Sequence, residues 1–232
     1  MNAAGLGRRP SPDPRDRRYL LSRQPTAVTY RHWSSPGVLD QDGTSQCVAY
    51  SGFKYLTTGP VLNRRPKETP VQLYRMCLKV DEWEGEDFDG GTSVRAMFQI
   101  FKTLGYVSEY RWAFDAETVV NHILTRGPVC VGTDWLRNMF MPHKKTGYLD
   151  CSGPNDGGHA WLIVGANTKQ KNPDGTTGAV RMINSWGKKW GSSGGRAWVT
   201  FNDLDKLIKA DGEACVATEI KISALEPTSS FA

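Results

Sequence analysis

Long apolar runs are missing from this sequence of 232 residues. No stretch approaches the roughly 18 consecutive apolar residues of a membrane-crossing helix, so we predict no contact with a membrane. The N-terminus also lacks the apolar core and small-residue cleavage site of a secretory signal, and we therefore expect a cytoplasmic protein rather than a classically secreted one. Internal repeats and low-complexity tracts are absent too, and the composition is that of an ordinary globular protein.

Cysteine and histidine are scarce, with five and four residues respectively. Five is an odd number, so at least one thiol stays unpaired in a monomer, and without a secretory signal we expect all of them to be reduced. No Cys-x-x-Cys pair occurs, and the set His143, Cys151, Asp156 and His159 lacks the spacing of a zinc site. We therefore predict neither a metal nor a cofactor.

The chain carries only a small net charge, +5. Much of it lies in residues 1–31, which hold a cluster of arginines and only two acidic residues, Asp13 and Asp16. Such a segment could bind nucleic acid, but the proline and aspartate interruptions break any basic stripe and make that partner improbable. The prolines also exclude a long helix. We interpret residues 1–37 as an extended arm, a solvated strap on the protein surface.

Hydrophobic periodicity changes character near the middle of the chain. Spacing typical of helices predicts an early helical region, and β-branched and aromatic runs separated by turn residues predict strands after it. The predicted helices cover residues 47–58, 69–78, 92–104 and 116–125, and the predicted strands cover 129–135, 158–167, 179–187 and 196–201. This order indicates an α+β protein with a mainly helical lobe (38–118), a mainly antiparallel β lobe (119–232) and a cleft between them.

Two residues could carry nucleophilic chemistry. Cys47 begins the first predicted helix after the polar loop 40–46, and a helix N-terminus lowers the pKa of a thiol. His159 opens a predicted strand, from which an imidazole can project into a cleft. Each position also has a plain structural interpretation, since a cysteine in an amphipathic helix is usually a small buried residue and a lone histidine is usually structural.

Three separated stretches together resemble the papain-like cysteine peptidases. Gln41 stands six residues before Cys47, as in the nucleophile loop of that family. The stretch 158–165 (GHAWLIVG) resembles its His-Ala strand, and 184–191 (NSWGKKWG) matches the pattern Asn-Ser-Trp-Gly-x-x-Trp-Gly at every fixed position. The order Gln, Cys, His, Asn along the chain is that of the family.

The resemblance implies a two-lobed fold, with a helical lobe and an antiparallel β-barrel lobe. It also implies peptide hydrolysis through an acyl-enzyme, with a polypeptide as substrate. Cys47 would be the nucleophile, His159 its base and Asn184 the residue that orients the base. The Gln41 amide and the backbone N–H of Cys47 would stabilise the oxyanion.

The resemblance further implies a set of substrate-binding residues. The Gly-Gly segment of the family pairs with extended substrate through its backbone, although the same glycines could form a plain turn here. Other small residues would line a pocket beside the nucleophile, and a tryptophan would shield the bond between the histidine and the asparagine. The residues at these positions are Gly90, Gly91, Gly132, Gly158, Ala160 and Trp186.

The sequence also departs from the family pattern. Val48 replaces a tryptophan that often follows the nucleophile, and Thr44 replaces a cysteine three residues before it. No cysteine lies near Gly90, so the usual disulfide between those loops is missing, which agrees with reduced thiols. Gly158 stands where an acidic or amide residue precedes the histidine. No long helical propeptide precedes residue 38, so we expect location or a partner, rather than an attached segment, to restrain the activity.

An alternative function is assembly. Residues 12–19 (PDPRDRRY) look like the lead-in of prokaryotic and phage-encoded members. A phage or bacterial structural protein that retains the fold, with or without activity, would then associate with a larger particle and could be located in a virion.

Overall fold

The computed structural model of the protein describes residues 5–63, 66–83, 89–191 and 193–219. Both ends of the predicted division into lobes, 1–4 and 220–232, lie outside these residues. After the N-terminal arm, the described chain forms helices and then most of an antiparallel sheet, which confirms the predicted α+β class.

Three helices form the first lobe, and their ends follow local capping. They are α1 (Cys47–Leu56), α2 (Pro70–Cys77) and α3 (Val94–Thr103). Thr69 and Gln72 form a capping box at the start of α2, and the Ser93 side chain accepts the Ala96 N–H at the start of α3. Helices α1 and α3 approach closely at Gly52, where a β-carbon would lie 2.6 Å from Met97 Cγ. A larger residue at Gly52 would force these helices apart.

The second lobe is built on one seven-stranded antiparallel sheet. The strands are β1 (Tyr30–His32), β2 (Tyr110–Ala113), β3 (Val129–Leu136), β4 (Asn155–Lys171), β5 (Thr177–Ile183), β6 (Arg196–Thr200) and β7 (Glu213–Ala217). Their order in the sheet is β2-β7-β3-β4-β5-β6, and β1 pairs with β4 outside that path. Two helices accompany the sheet, α4 (Ala116–Thr125) and α5 (Phe201–Lys209).

The expected β-barrel is wrong, because the sheet is open. After β6 the chain enters α5, and β7 then inserts between β2 and β3. No described strand therefore joins β6 back to β2. The Thr200 side chain accepts the Asp203 N–H and caps α5, so β6 ends one residue before the predicted end of the last strand. Helix α5 and strands β1, β2 and β7 were not predicted.

Apolar residues cover both faces of the sheet. Along β4, Ala160, Leu162 and Val164 belong to the core shared with α1 and α3. The alternate residues Trp161 and Ile163 belong to the core under α4 and α5. This alternation follows the two-residue period of a strand and fixes which side chains face the first lobe. It brings the start of β4 against the N-terminus of α1, where Cys47 lies.

The N-terminal arm is ordered against the body. A short 3-10 helix (Pro14–Arg18) and β1 lie within it, and Gly5, Gly7 and Arg8 are buried. The expectation of a solvated strap is therefore wrong for its first part. Arg95 of α3 holds this part through ion-pair contact with Asp16. None of the helices in the described ranges has the length and apolar character that would let it span a bilayer.

Candidate active site

Cys47 is the first residue of α1, and its side chain faces β4. Its Sγ accepts the backbone N–H of Ala160 at 3.4 Å, and the nearby backbone N–H of Gly7 also lowers the pKa of the thiol. The residue has no solvent exposure. The sulfur therefore lies beside the residue that follows His159, and a part of the N-terminal arm covers it.

His159 is oriented by an asparagine. Its Nε2 lies 2.8 Å from Asn184 Oδ1, which also accepts the backbone N–H of Ser185 at 2.7 Å. An atom that accepts from a backbone N–H is the amide oxygen, so Nε2 of His159 must carry the hydrogen. The lone pair is then on Nδ1, which has no hydrogen-bond partner in the described structure. This tautomer is the one that can accept a proton from a neighbouring thiol.

Aromatic rings surround the imidazole. The ring centroid of Trp186 lies 4.6 Å from that of His159, and the centroid of Trp135 lies at 4.7 Å. Phe140 stacks on Trp186 at 5.6 Å. These rings exclude water from the bond between His159 and Asn184. Trp135 and Phe140 were missed, because only contact in the folded chain distinguishes them from other core aromatics.

Gln41 presents its amide hydrogens toward the cleft. Its Oε1 accepts the Ser185 hydroxyl at 2.6 Å, so Nε2 is the end of the amide that points into the cleft. Nε2 donates to the carbonyl oxygen of Gly5 at 3.1 Å and also contacts that of Thr44. A peptide carbonyl is thus bound by the amide that the resemblance assigns to the oxyanion. Ser185 was also missed, although it directly follows Asn184.

The thiol and the imidazole are both neutral in this state. Burial raises the pKa of Cys47 to about 11, against the opposing effect of the N–H groups of Ala160, Gly7 and Val48. Burial lowers the pKa of His159 to about 4, although the bond to Asn184 acts in the other direction. A thiolate and imidazolium pair is therefore disfavoured while the site is dry.

Residues 5–11, called here the covering segment, fill the cleft. The N–H groups of Gly7 and Arg8 both donate to Gly158 O at 3.0 Å. Thr92 N–H donates to Gly7 O, and Arg9 N–H donates to Thr92 O, each at 2.9 Å. The segment thus pairs as a short strand with both walls of the cleft, which is the way an extended peptide binds.

The structure brings most of the predicted substrate-binding residues to this segment. Gly158 supplies the carbonyl that it binds, and a β-carbon at Gly91 would collide with Gly7 O. Gly132 faces Arg8. Gly90 is exposed, and Thr92 rather than Gly90 makes the backbone pairing. Two further predicted residues contact the reactive groups, Ala160 through its N–H on the sulfur and Trp186 over the imidazole.

The sequence predicted no attached segment at the site, but residues 5–11 occupy the groove. A long helical propeptide is not needed for this, because a short extended segment is enough to fill the groove. Gly5 and Gly7 lie so close to the loop before Cys47 that a β-carbon on either would collide with backbone atoms of residues 43–45. Only a residue without a side chain fits at these two positions.

The described residues contain no group of three or more His, Cys, Asp or Glu side chains that could hold a metal ion. Of the residues weighed for a metal site, Asp156 instead pairs with Arg137 at 2.7 Å.

A comparison with protein-family models identifies the chain. The model of the papain family of cysteine proteases matches residues 88–206, more than half of the sequence. The chain belongs to the papain family of cysteine proteases. It is therefore a thiol protease that hydrolyses peptide bonds in polypeptides, as predicted. The matched range contains His159 and Asn184, whereas Gln41 and Cys47 precede it.

Solved structures show the same fold. Xylellain, a cysteine protease from Xylella fastidiosa, superposes with a TM-score of 0.68 at 15% identity, over 95% of this chain and 98% of that one. Digestive procathepsin L 3 from the larval midgut of Tenebrio molitor gives a TM-score of 0.62 at 18% identity, over 92% of this chain and 75% of that one. The chain has no significant match among curated protein sequences. These matches give the assembly alternative no support.

Proposed function

We propose that Cys47, His159, Asn184 and Gln41 carry out peptide cleavage in this protease, and that the covering segment keeps the enzyme latent. The observation that supports both parts is the position of Gly7. Its N–H donates to Gly158 O and lies near enough to the Cys47 sulfur to lower the pKa of the thiol, while its carbonyl pairs with Thr92. A peptide already lies in the groove, but it presents an N–H group to the sulfur, and an N–H group is not an electrophile that a thiolate can attack.

Departure of the segment starts the chemistry. Water then reaches the site, the thiol proton moves to Nδ1 of His159, and the N-terminus of α1 stabilises the thiolate. The sulfur attacks the substrate carbonyl, and the amide of Gln41 with the N–H of Cys47 stabilises the oxyanion. His159 gives its proton to the leaving amine as the C–N bond breaks. A water then attacks the thioester, passes a proton to His159, and Cys47 leaves as the thiolate.

A methyl group added at Gly7 tests whether the covering segment keeps the enzyme latent. Replacement Gly7→Ala is expected to raise peptide cleavage by about 10- to 100-fold, because the added carbon collides with the backbone oxygen of Ser45 and an overpacked contact costs about 1–3 kcal/mol. The substitution leaves every proposed catalytic side chain in place. The measurement is kcat/KM on a pool of fluorogenic peptides, with the full chain in each case.

The matched control is Ser22→Ala, an exposed position later in the same arm, for which no change is expected. Equal activity of the Gly7→Ala chain and the wild type, at any level, would show that the segment does not restrain the enzyme.

The reactivity of Cys47 toward iodoacetamide should depend on pH differently in the two chains. The thiolate is the reactive form, and a thiol with a pKa of about 11 is almost fully protonated at neutral pH. Labelling of the wild type is therefore expected to be slow near pH 6 and to rise throughout the alkaline range. In the Gly7→Ala chain it should already be fast near pH 6, because solvent and His159 stabilise the thiolate.

Mass spectrometry of the labelled peptides separates Cys47 from the buried thiols Cys77, Cys130 and Cys215. The same pH profile in both chains would contradict the assigned role of the segment.

We also propose that the enzyme works in a reducing compartment. All five cysteines are unpaired in the structure. Cys130 lies opposite Cys215 in the β3–β7 pair and is not bonded to it, and its sulfur lies 3.2 Å from the Ser51 hydroxyl. Alkylation of the unfolded, unreduced protein should then add five adducts. Association with a larger particle remains a prediction from the sequence.

A further inference from the structure

The side chain of Arg8 enters a pocket beside the nucleophile. Arg8 is only 3% exposed, and its Nε donates to Glu213 Oε2 at 3.0 Å. A terminal nitrogen contacts the carbonyl oxygen of Asp211, and the other lies 3.9 Å from Asp134 Oδ1. Two carboxylates and a carbonyl thus converge on one guanidinium group.

The walls of the pocket leave room for a long side chain. Gly132 of β3 forms one wall, and a β-carbon there would lie 3.0 Å from Arg8 Cγ and 2.8 Å from the Val94 side chain. Gly158 forms another, since a β-carbon on it would lie 3.2 Å from Arg8 Cδ. Any side chain at these two glycines would fill the space that the stem of Arg8 occupies.

The acid at the base of the pocket depends on the covering segment for its partners. Glu213 is 9% exposed. Within the described structure its Oε2 accepts from Arg8 and its Oε1 accepts the Ser11 N–H at 3.2 Å, so both hydrogen bonds come from residues 5–11. When the segment leaves, a nearly buried carboxylate loses them, and a buried carboxylate without a partner is costly. The vacated pocket then favours a new cation.

The position of the pocket ties it to the reaction. Arg8 and Gly7 donate to the same carbonyl, Gly158 O, which directly precedes His159, and the Gly7 N–H also lies near enough to the Cys47 sulfur to act on the thiol. The pocket therefore receives the side chain of a residue adjacent to the one that lies on the nucleophile. A substrate side chain in it would lie within about two residues of the cleaved bond.

We propose that this pocket selects substrates with an arginine side chain next to the residue at Cys47, and that Glu213 determines the selection. Arg8 is the occupant of the pocket in the latent form. Arginine is favoured over lysine because two different guanidinium nitrogens bind the pocket, one at Glu213 and one at the Asp211 carbonyl. A single ammonium group cannot reach both acceptors in the same geometry. The inference rests on the proposed function, in which the covering segment occupies the substrate groove.

Cleavage of a diverse peptide library by the full chain with Arg8→Ala tests the selection. Arginine should be enriched by about 10- to 100-fold over glutamine or leucine at one position beside the cleaved bond, since a charge-assisted hydrogen bond contributes about 1.5–3 kcal/mol. Adding Glu213→Gln should remove that enrichment. Glu117→Gln, an exposed acid on α4, is the matched control and should preserve it. Enrichment of an apolar residue instead, or enrichment that survives Glu213→Gln, would overturn the proposal.

If the Arg8→Ala chain cleaves no peptide, a binding experiment still tests the pocket. That result would count against the proposed function, whereas the pocket can be tested without catalysis. The full chain with Arg8→Ala and Cys47→Ala should bind a fluorescein-labelled peptide of sequence 5–11 (GLGRRPS) at least about 10-fold more tightly than the same peptide with glutamine at its fourth position. Equal affinity for the two peptides would refute the selection.

Discussion

Alanine in place of Cys47 is expected to abolish peptide cleavage, with a loss of about 10⁶-fold in kcat, the effect of removing the nucleophile or base from other covalent proteases. The comparison is made in the Gly7→Ala chain, where the groove is open. Cys47 is the thiol that lies at a helix N-terminus against the strand of His159. Acyl transfer needs that sulfur, because the neighbouring groups position and protonate but form no bond to the substrate.

The other thiols are unsuited to replace it. Cys77, Cys130 and Cys215 are fully buried, and burial raises the pKa of each. Cys151 is partly exposed but lies outside the cleft, so Cys151→Ala is the matched control and should retain full activity. His159→Gln should also lose activity while Cys47 stays labelable, because the base is lost and the sulfur remains.

The measurement is the single-turnover rate on the fluorogenic peptide pool, together with thermal melting to show that each variant is folded. Cleavage by the Cys47→Ala chain at a rate close to that of its parent would remove Cys47 from the mechanism and with it the acyl-enzyme.

The parts of the fold that could be predicted are those with local signals at both ends. Helix α4 was predicted with the bounds it has, Ala116–Thr125, because Asp115 caps its start and Gly127-Pro128 follows its end. Strand β7 was missed because Glu213–Ala217 is a short run in which every residue is buried, without the alternation that marks a half-exposed strand. The prediction therefore also missed Glu213, the acid of the Arg8 pocket.

More of the catalytic site than of the groove around it could be predicted from the sequence. Cys47, His159, Asn184 and Gln41 lie in stretches whose resemblance to one family could be recognised, and the structure brings them to one cleft. The covering segment has no such signal. Its fit depends on two glycines that lack side chains and on an ion pair between Arg8 and Glu213, residues that are 205 positions apart. Only the folded chain shows that contact.

Gln41→Ala is expected to lower kcat by about 10²- to 10³-fold in the Gly7→Ala chain, with little change in KM, because an oxyanion donor acts mainly on the transition state. Ser185→Ala should give a smaller loss in the same direction. Its hydroxyl holds Oε1 of Gln41, and without it the amide can rotate away from the groove. A merely structural role for Gln41 would lower stability and alter KM and kcat together.

In the wild-type background the same substitution should separate latency from catalysis. Gln41 binds the carbonyl of Gly5, so its removal weakens the hold on the covering segment while it removes the oxyanion donor. Labelling of Cys47 by iodoacetamide is then expected to become faster although peptide cleavage becomes slower. If labelling and cleavage change in the same direction, the Gln41 amide does not both bind the covering segment and take part in the reaction.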